Sequence, residues 1–114
     1  MPLLELKAEP FILFAKGFAV RHHVLQTCSA LGFEPAIAYE SSQWDLLVEM
    51  VSANLGVSFL PESICSKIVN SDVTIVPVTD PSIPWSLAVI WNKERYVSYA
   101  MREFLRFVRL TSGL

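Results

Sequence analysis

The stretch Glu40 to Pro61, ESSQWDLLVEMVSANLGVSFLP, decides the fold. Trp44, Leu47, Val48, Val51 and Leu55 recur at i, i+3, i+4, i+7 and i+11, which places them on one face of a helix over 43–55. Ser42 stands before that helix as its expected N-cap. Asp45 follows three residues on, at capping-box spacing, with Asp where Glu or Gln is usual. Gly56 is the expected stop, because glycine takes positive φ without a Cβ clash. Val57 to Leu60 then read as a short buried strand that Pro61 ends. A helix that passes through a glycine into a strand is half of a βαβ unit.

Working outward, the same alternation continues. Phe11 to Phe14 is an apolar run short enough for a buried strand, and Ala15, Lys16 and Gly17 turn the chain. Phe18 to Leu31 reads as a helix with Val24, Cys28 and Leu31 on one face and Arg21, His22, Gln26 and Ser29 elsewhere. Gly32 stops it, and Ala36 to Tyr39 form a second strand. Beyond Pro61, residues 62–69 suggest a short helix, Asn70 to Asp72 a turn, and Val73 to Val78 a fourth strand. The order βαβαβαβ predicts a Rossmann-like, mostly parallel sheet with right-handed crossovers and helices on both faces; if the strands lie in the order 2-1-3-4, the connections reverse between the first and third. Asp80 to Pro84 break the pattern with two prolines. Trp85 to Trp91 is a further strand, Asn92 to Arg95 a polar turn, and Ser98 to Leu110 an amphipathic helix. Its apolar face includes Met101, Phe104, Leu105 and Val108, and Arg102, Arg106 and Arg109 line the opposite side as a solvated face.

The totals narrow the class. Of the 114 residues, 53% are hydrophobic and 18% charged, and the mean hydropathy is +0.43. No run reaches the roughly 18 to 20 apolar residues of a membrane span. Glu5, Lys7 and Glu9 break up any secretory signal, so the expected compartment is the cytoplasm. The apolar excess then implies a buried sheet together with surface that meets another domain. A net charge of −2 argues against direct nucleic-acid binding. Cys28 and Cys65 each fall in a predicted helix, as reduced and buried thiols.

Four features together resemble the effector-binding region of LysR-type transcriptional regulators. These are the lead-in LELKAEPFILF at 4–14 with Gly17 and Arg21 after it, and the Gly-Phe-x-Pro pivot at 32–35. The others are VSANLGVSFLP at 51–61, and the ending of Pro77, the strand 87–91 and a terminal helix. The resemblance implies an α/β lobe of a two-lobed, type II periplasmic-binding-protein-like fold. Residues 1–80 would be the second lobe, and 81–114 the returning crossover, strand and helix of an otherwise missing first lobe. It also implies homo-oligomers in which helix 18–31 and strand 36–39 meet a neighbouring chain, and DNA contact only through an N-terminal helix-turn-helix that this sequence lacks.

In open α/β sheets, ligands bind beyond the carboxyl ends of the strands at a topological switch point, here between the first and third strands. That rule selects Lys16, Gly17, Phe18 and Ala19, with Pro61, Glu62 and Ser63 facing them and Ser42 nearby. Gly17 admits a ligand to the backbone, Phe18 covers an apolar surface, and Lys16 with the helix start favours an anion or carboxylate. The resemblance points to the same loop as one wall of the effector cleft. The plain alternative is Lys16 as a solvated loop residue and Phe18 as a staple onto the helix, and Ser42 reads first as a helix cap.

His22 and His23 point about 100° apart on a helix and cannot share a metal as an i, i+4 pair can. Without Cys or carboxylate partners at ligand spacing, no metal site is expected. No G-x-S-x-G elbow is present, so no catalytic site and no cofactor are expected either. The expected function is therefore small-molecule sensing rather than catalysis, the alternative being a free-standing solute-binding module or small enzyme. The apolar residues of 85–110 would have to be hidden, either by folding back onto their own sheet or by exchange with a second copy, and self-association is expected.

Overall fold

Pro10–Phe14 is apolar throughout and forms β1, with its last four residues buried. The computed structural model, which describes residues 1–79 and 86–112, builds one five-stranded sheet around it. The other strands are β2 (Ala36–Ser41), β3 (Val57–Pro61), β4 (Val73–Pro77) and β5 (Leu87–Asn92). The helices are α1 (Ala19–Ala30), α2 (Trp44–Ser52), the single turn α3 (Glu62–Cys65) and α4 (Lys93–Ser112).

β1 pairs in parallel with β2 on one side and β3 on the other, as the crossover lengths require. The crossover from β1 to β2 and the one from β2 to β3 move in opposite directions across the sheet, so right-handed connections set α1 and α2 on opposite faces. The full order is β2-β1-β3-β5-β4 rather than 2-1-3-4. β5 lies between β3 and β4 and runs antiparallel to both, so β4 still points the same way as β3. All six of its residues are buried. The final strand is therefore not held out as surface for another lobe. It has folded back onto its own sheet, because an unbroken apolar run such as Leu87 to Trp91 is stable only when covered on both faces. The segment 80–84 and Trp85 lie outside the described residues.

The core gathers Phe11, Ile12 and Leu13 of β1 with Val24 and Cys28 of α1 and Leu47, Val48 and Val51 of α2. Phe59 of β3 and Leu87 to Trp91 of β5 complete it, and Phe11 and Phe59 meet at 5.1 Å between ring centroids. Each large apolar side chain so buried contributes roughly 1.5–3 kcal/mol. Leu3 and Leu6, in a single 3-10 turn (Leu3–Leu6) ahead of β1, are fully buried as well. Both cysteines are buried thiols outside any disulfide, and burial, with Glu62 adding to it, pushes the Cys65 thiol above its ordinary range.

Several local expectations change. Gln43, not Ser42, is the N-cap residue of α2, and no side chain caps that helix. Instead Ser41 Oγ accepts the Gln43 N–H at 3.1 Å. The helix stops at Ser52, and Asn54 (φ 64) supplies the left-handed residue expected of Gly56. Gly56 is required for space, since a Cβ there would sit 2.5 Å from the Pro10 carbonyl oxygen. The polar turn expected at Asn92 to Arg95 is the start of α4. Asn92 Oδ1 accepts the N–H groups of Glu94 and Arg95 at 2.9 and 3.3 Å, as an N-cap does.

The first turn of α4 is tied to the body. Arg95 Nη1 donates to Glu9 Oε2 at 2.7 Å, while its Nε and Nη2 donate to the Asn54 side chain and carbonyl at 2.8 and 3.0 Å. Arg102, expected on a solvated face, reaches the other Glu9 oxygen at 3.5 Å. Tyr99 donates its hydroxyl to Glu5 and packs on Trp91 at 5.2 Å.

Candidate functional site

The carboxyl ends of β1 and β3 lie side by side, and the chain leaves β1 through a turn at Gly17, where φ is 96°. That left-handed residue is one only glycine adopts without strain. The Ala15 N–H donates to the Ser41 carbonyl at 3.0 Å, pinning the turn to the end of β2. Phe18 follows in extended conformation as the N-cap residue of α1, and its ring stacks on Phe14 at 4.9 Å with a 16° tilt. An aromatic at this position leaves α1 without a side-chain cap, as Gln43 leaves α2. Two helix starts without a side-chain cap therefore lie at this end of the sheet, and at α2 Asp45 Oδ1 accepts the first-turn Leu46 N–H at 3.0 Å.

Between them lies a hollow of about 600 Å³. Phe14, Phe18, Ala19 and Val20 form one wall, Ser42, Gln43, Trp44 and Asp45 the other, and Pro61 and Ile64 close it. This volume falls in the range of sites for small organic ligands. A second, more open groove of about 900 Å³ runs along α1 from Lys16 and Gly17 past Arg21 and His22 to Gln26. Phe18 and Ala19 line both and separate them.

The sequence-based candidates are thus divided. Phe18, Ala19, Ser42 and Pro61 meet in the hollow, whereas Lys16 and Gly17 lie in the groove beyond Phe18. Glu62 and Ser63 line neither. The Glu62 N–H donates to the Ser86 carbonyl at 2.8 Å, and the Ser63 carbonyl accepts the Ser66 hydroxyl at 3.0 Å. Phe14 and Trp44 were legible only as core residues, since an apolar residue at a strand end or helix start carries no separate mark for facing a ligand. Gln43, read as the first helical residue, and Asp45, read as part of a cap, also face the hollow.

Arg21, assigned by its spacing to a side of α1 away from the core, is 8% exposed. Its Nη1 donates to the Phe14 carbonyl and to Glu40 Oε1, both at 3.0 Å. It thereby ties the ends of β1 and β2 to α1 and fixes the base of the groove. Among the described residues, no group of three or more His, Cys, Asp or Glu side chains could hold a metal.

An open α/β lobe with a ligand-sized, mostly apolar hollow at its switch point belongs to the class of small-molecule-binding modules. A family model, the LysR substrate binding domain, matches residues 1–112, and the chain belongs to that family, whose fold is of the type II periplasmic-binding-protein kind. It is 49% identical over 107 residues to the uncharacterized HTH-type transcriptional regulator YwbI of Bacillus subtilis strain 168, covering 94% of this chain and 36% of the relative. It is 30% identical over 106 residues to the transcriptional dual regulator GltC of the same strain, covering 93% and 35%. Identity to the HTH-type transcriptional regulator AlsR, again of that strain, is 35% over 94 residues, covering 81% and 31%. The chain spans about a third of the length of these curated relatives.

Proposed function

We propose that this chain is the effector-sensing part of a LysR-type transcriptional regulator and that it acts by binding a small molecule rather than by catalysis. The hollow between Phe18, Trp44 and Pro61, at the ends of β1 and β3, carries the reading. Residues 1–80 serve as the second lobe, and 81–114, whose strand β5 here closes that lobe's own sheet, as the segment that leads on through α4 to a first lobe in a longer protein. Effector bound between two lobes favours the closed form in proportion to its differential affinity, and the shift in population reorients attached DNA-binding domains. DNA is reached only through such a domain. Among the described residues no helix is long and apolar enough to cross a membrane, in keeping with action in the cytoplasm.

The effector carries an anionic group, a carboxylate or similar. Lys16 and the start of α1 supply the favourable field, with Ser42 across the hollow. Titration of the chain with benzoate, followed by amide chemical shifts, tests this. Residues 16–19 and 42–44 should shift, and Lys16→Ala should weaken the response. Shifts confined to His22, His23 or the arginines of α4 would move the site and defeat the proposal.

A further inference from the structure

Four candidate residues lie in the hollow and two beyond Phe18, which separates what the hollow reads from what Lys16 reads. We infer that the hollow takes a flat, apolar ring, so that the effector is an aromatic or similarly planar molecule, and that Phe18 and Trp44 set this preference. The inference rests on the reading of the hollow as an effector site and adds the chemical class.

Three observations carry it. First, the walls are ring-rich: Phe14 and Phe18 stack at 4.9 Å, yet Phe18 remains 40% exposed, so part of its ring surface is open to a ligand. Trp44 faces it across the hollow, and aromatic rings bind one another in offset or edge-on contact beyond simple area burial. Second, the ionisable wall residue is Asp45, whose Oδ1 already accepts the Leu46 N–H at 3.0 Å. No lysine, arginine or histidine stands among the described residues of the wall. A doubly charged anion placed there would lose its water without gaining a counter-cation, which is strongly unfavourable. Third, the volume of about 600 Å³ suits a molecule of one or two rings, not a macromolecular segment. A single carboxylate on the ring is compatible, because the hollow and the groove that holds Lys16 meet at Phe18 and Ala19.

Four probes separate ring from charge: benzoate, benzyl alcohol, acetate and succinate, each titrated into the full chain and followed by amide and indole chemical shifts. Benzoate and benzyl alcohol should both move Phe18, Trp44 and Ile64, and acetate and succinate should leave them in place. Trp44→Leu should weaken benzyl alcohol binding roughly three- to tenfold, the usual worth of one aromatic contact, while Trp44→Phe retains most of it. Phe18→Leu, at a partly exposed position, gives the same test with less demand on the fold. Acetate or succinate moving Phe18 and Trp44 as strongly as benzoate would overturn the ring preference while leaving the effector site standing. Ring probes that move only residues outside the hollow would overturn both.

Discussion

Replacing Glu9 by Gln should cost the fold about 2 kcal/mol, a large loss for a residue so near the chain start. The Glu9 side chain is 9% exposed, accepts from Arg95 at 2.7 Å and lies 3.5 Å from Arg102. It joins the segment before β1 to the first turn of α4, and Arg95 carries the link on to Asn54 beyond α2. A charge-assisted hydrogen bond contributes about 1.5–3 kcal/mol. The Arg95 side chain keeps 22% of its surface, so water partly replaces the lost acceptor and the lower half of that range applies. Gln keeps the volume and one carbonyl acceptor, so packing is not what changes. With a urea slope of about 1–3 kcal/mol/M for a small domain, the midpoint should fall by roughly 1 M. Arg102, 68% exposed on its side chain, is the internal control, and Arg102→Gln should cost no more than about 0.5 kcal/mol. A double-mutant cycle of Glu9→Gln with Arg95→Met should give a coupling of about 1–2 kcal/mol. A Glu9→Gln midpoint equal to that of the parent, or no coupling, would refute the idea that this ion pair clasps α4 to the sheet.

Three further outcomes are expected. Gly56→Ala should destabilise by about 1–3 kcal/mol in urea, because the new methyl meets the Pro10 carbonyl and Ile12 rather than a movable side-chain tip. Burial, then the hydrogen bond to Glu5, raises the Tyr99 phenol above its ordinary 10.0, so folding favours the neutral form. Its contribution is fully present below pH 10 and is lost as pH rises above it, and the urea midpoint of Tyr99→Phe should fall less between pH 9 and 11 than that of the parent. Val97, Met101, Phe104 and Phe107 of α4 are each more than half exposed, so the chain should associate with a second copy through that helix. Light scattering should show the association reduced in Met101→Glu and Phe104→Glu, and a parent that stays monomeric at high concentration would refute it.

Much of this fold was legible because it follows from periodicity. Strands 11–14, 36–39 and 57–60 are parallel, with α1 and α2 between them, because apolar spacing and crossover length leave little choice. The place of β5 was not legible, since strand order depends on which neighbour covers an apolar run, and Leu87 to Trp91 would suit any sheet interior. Capping was misread for a related reason: Ser42, Asn92 and Gly56 all carry cap-like chemistry. Position along the backbone selects Asn92 as cap, leaves Ser42 uncommitted and turns Gly56 into a spacer. At the site, the glycine turn and Phe18 could be found by the switch-point rule, whereas Phe14 and Trp44 look like any core aromatic until the sheet ends beneath them.

The insertion of β5 also bears on the order in which the molecule can be made. Among the described residues β4 pairs with β5 alone, and β5 occupies the second edge of β3. On a ribosome, at about 5–20 residues per second, residues through β4 emerge roughly one to three seconds before β5 is complete. During that interval the β3 edge, with Phe59 and Leu60, has no strand beside it, and β4 has nothing to join. Nascent β1, β2 and β3 can assemble early through nearby crossovers, but the sheet closes only when the last strand slots into a gap already flanked by earlier ones. The latest part of the chain thus completes the interior, and a ribosome stalled before residue 92 would hold a protein with an open, sticky edge.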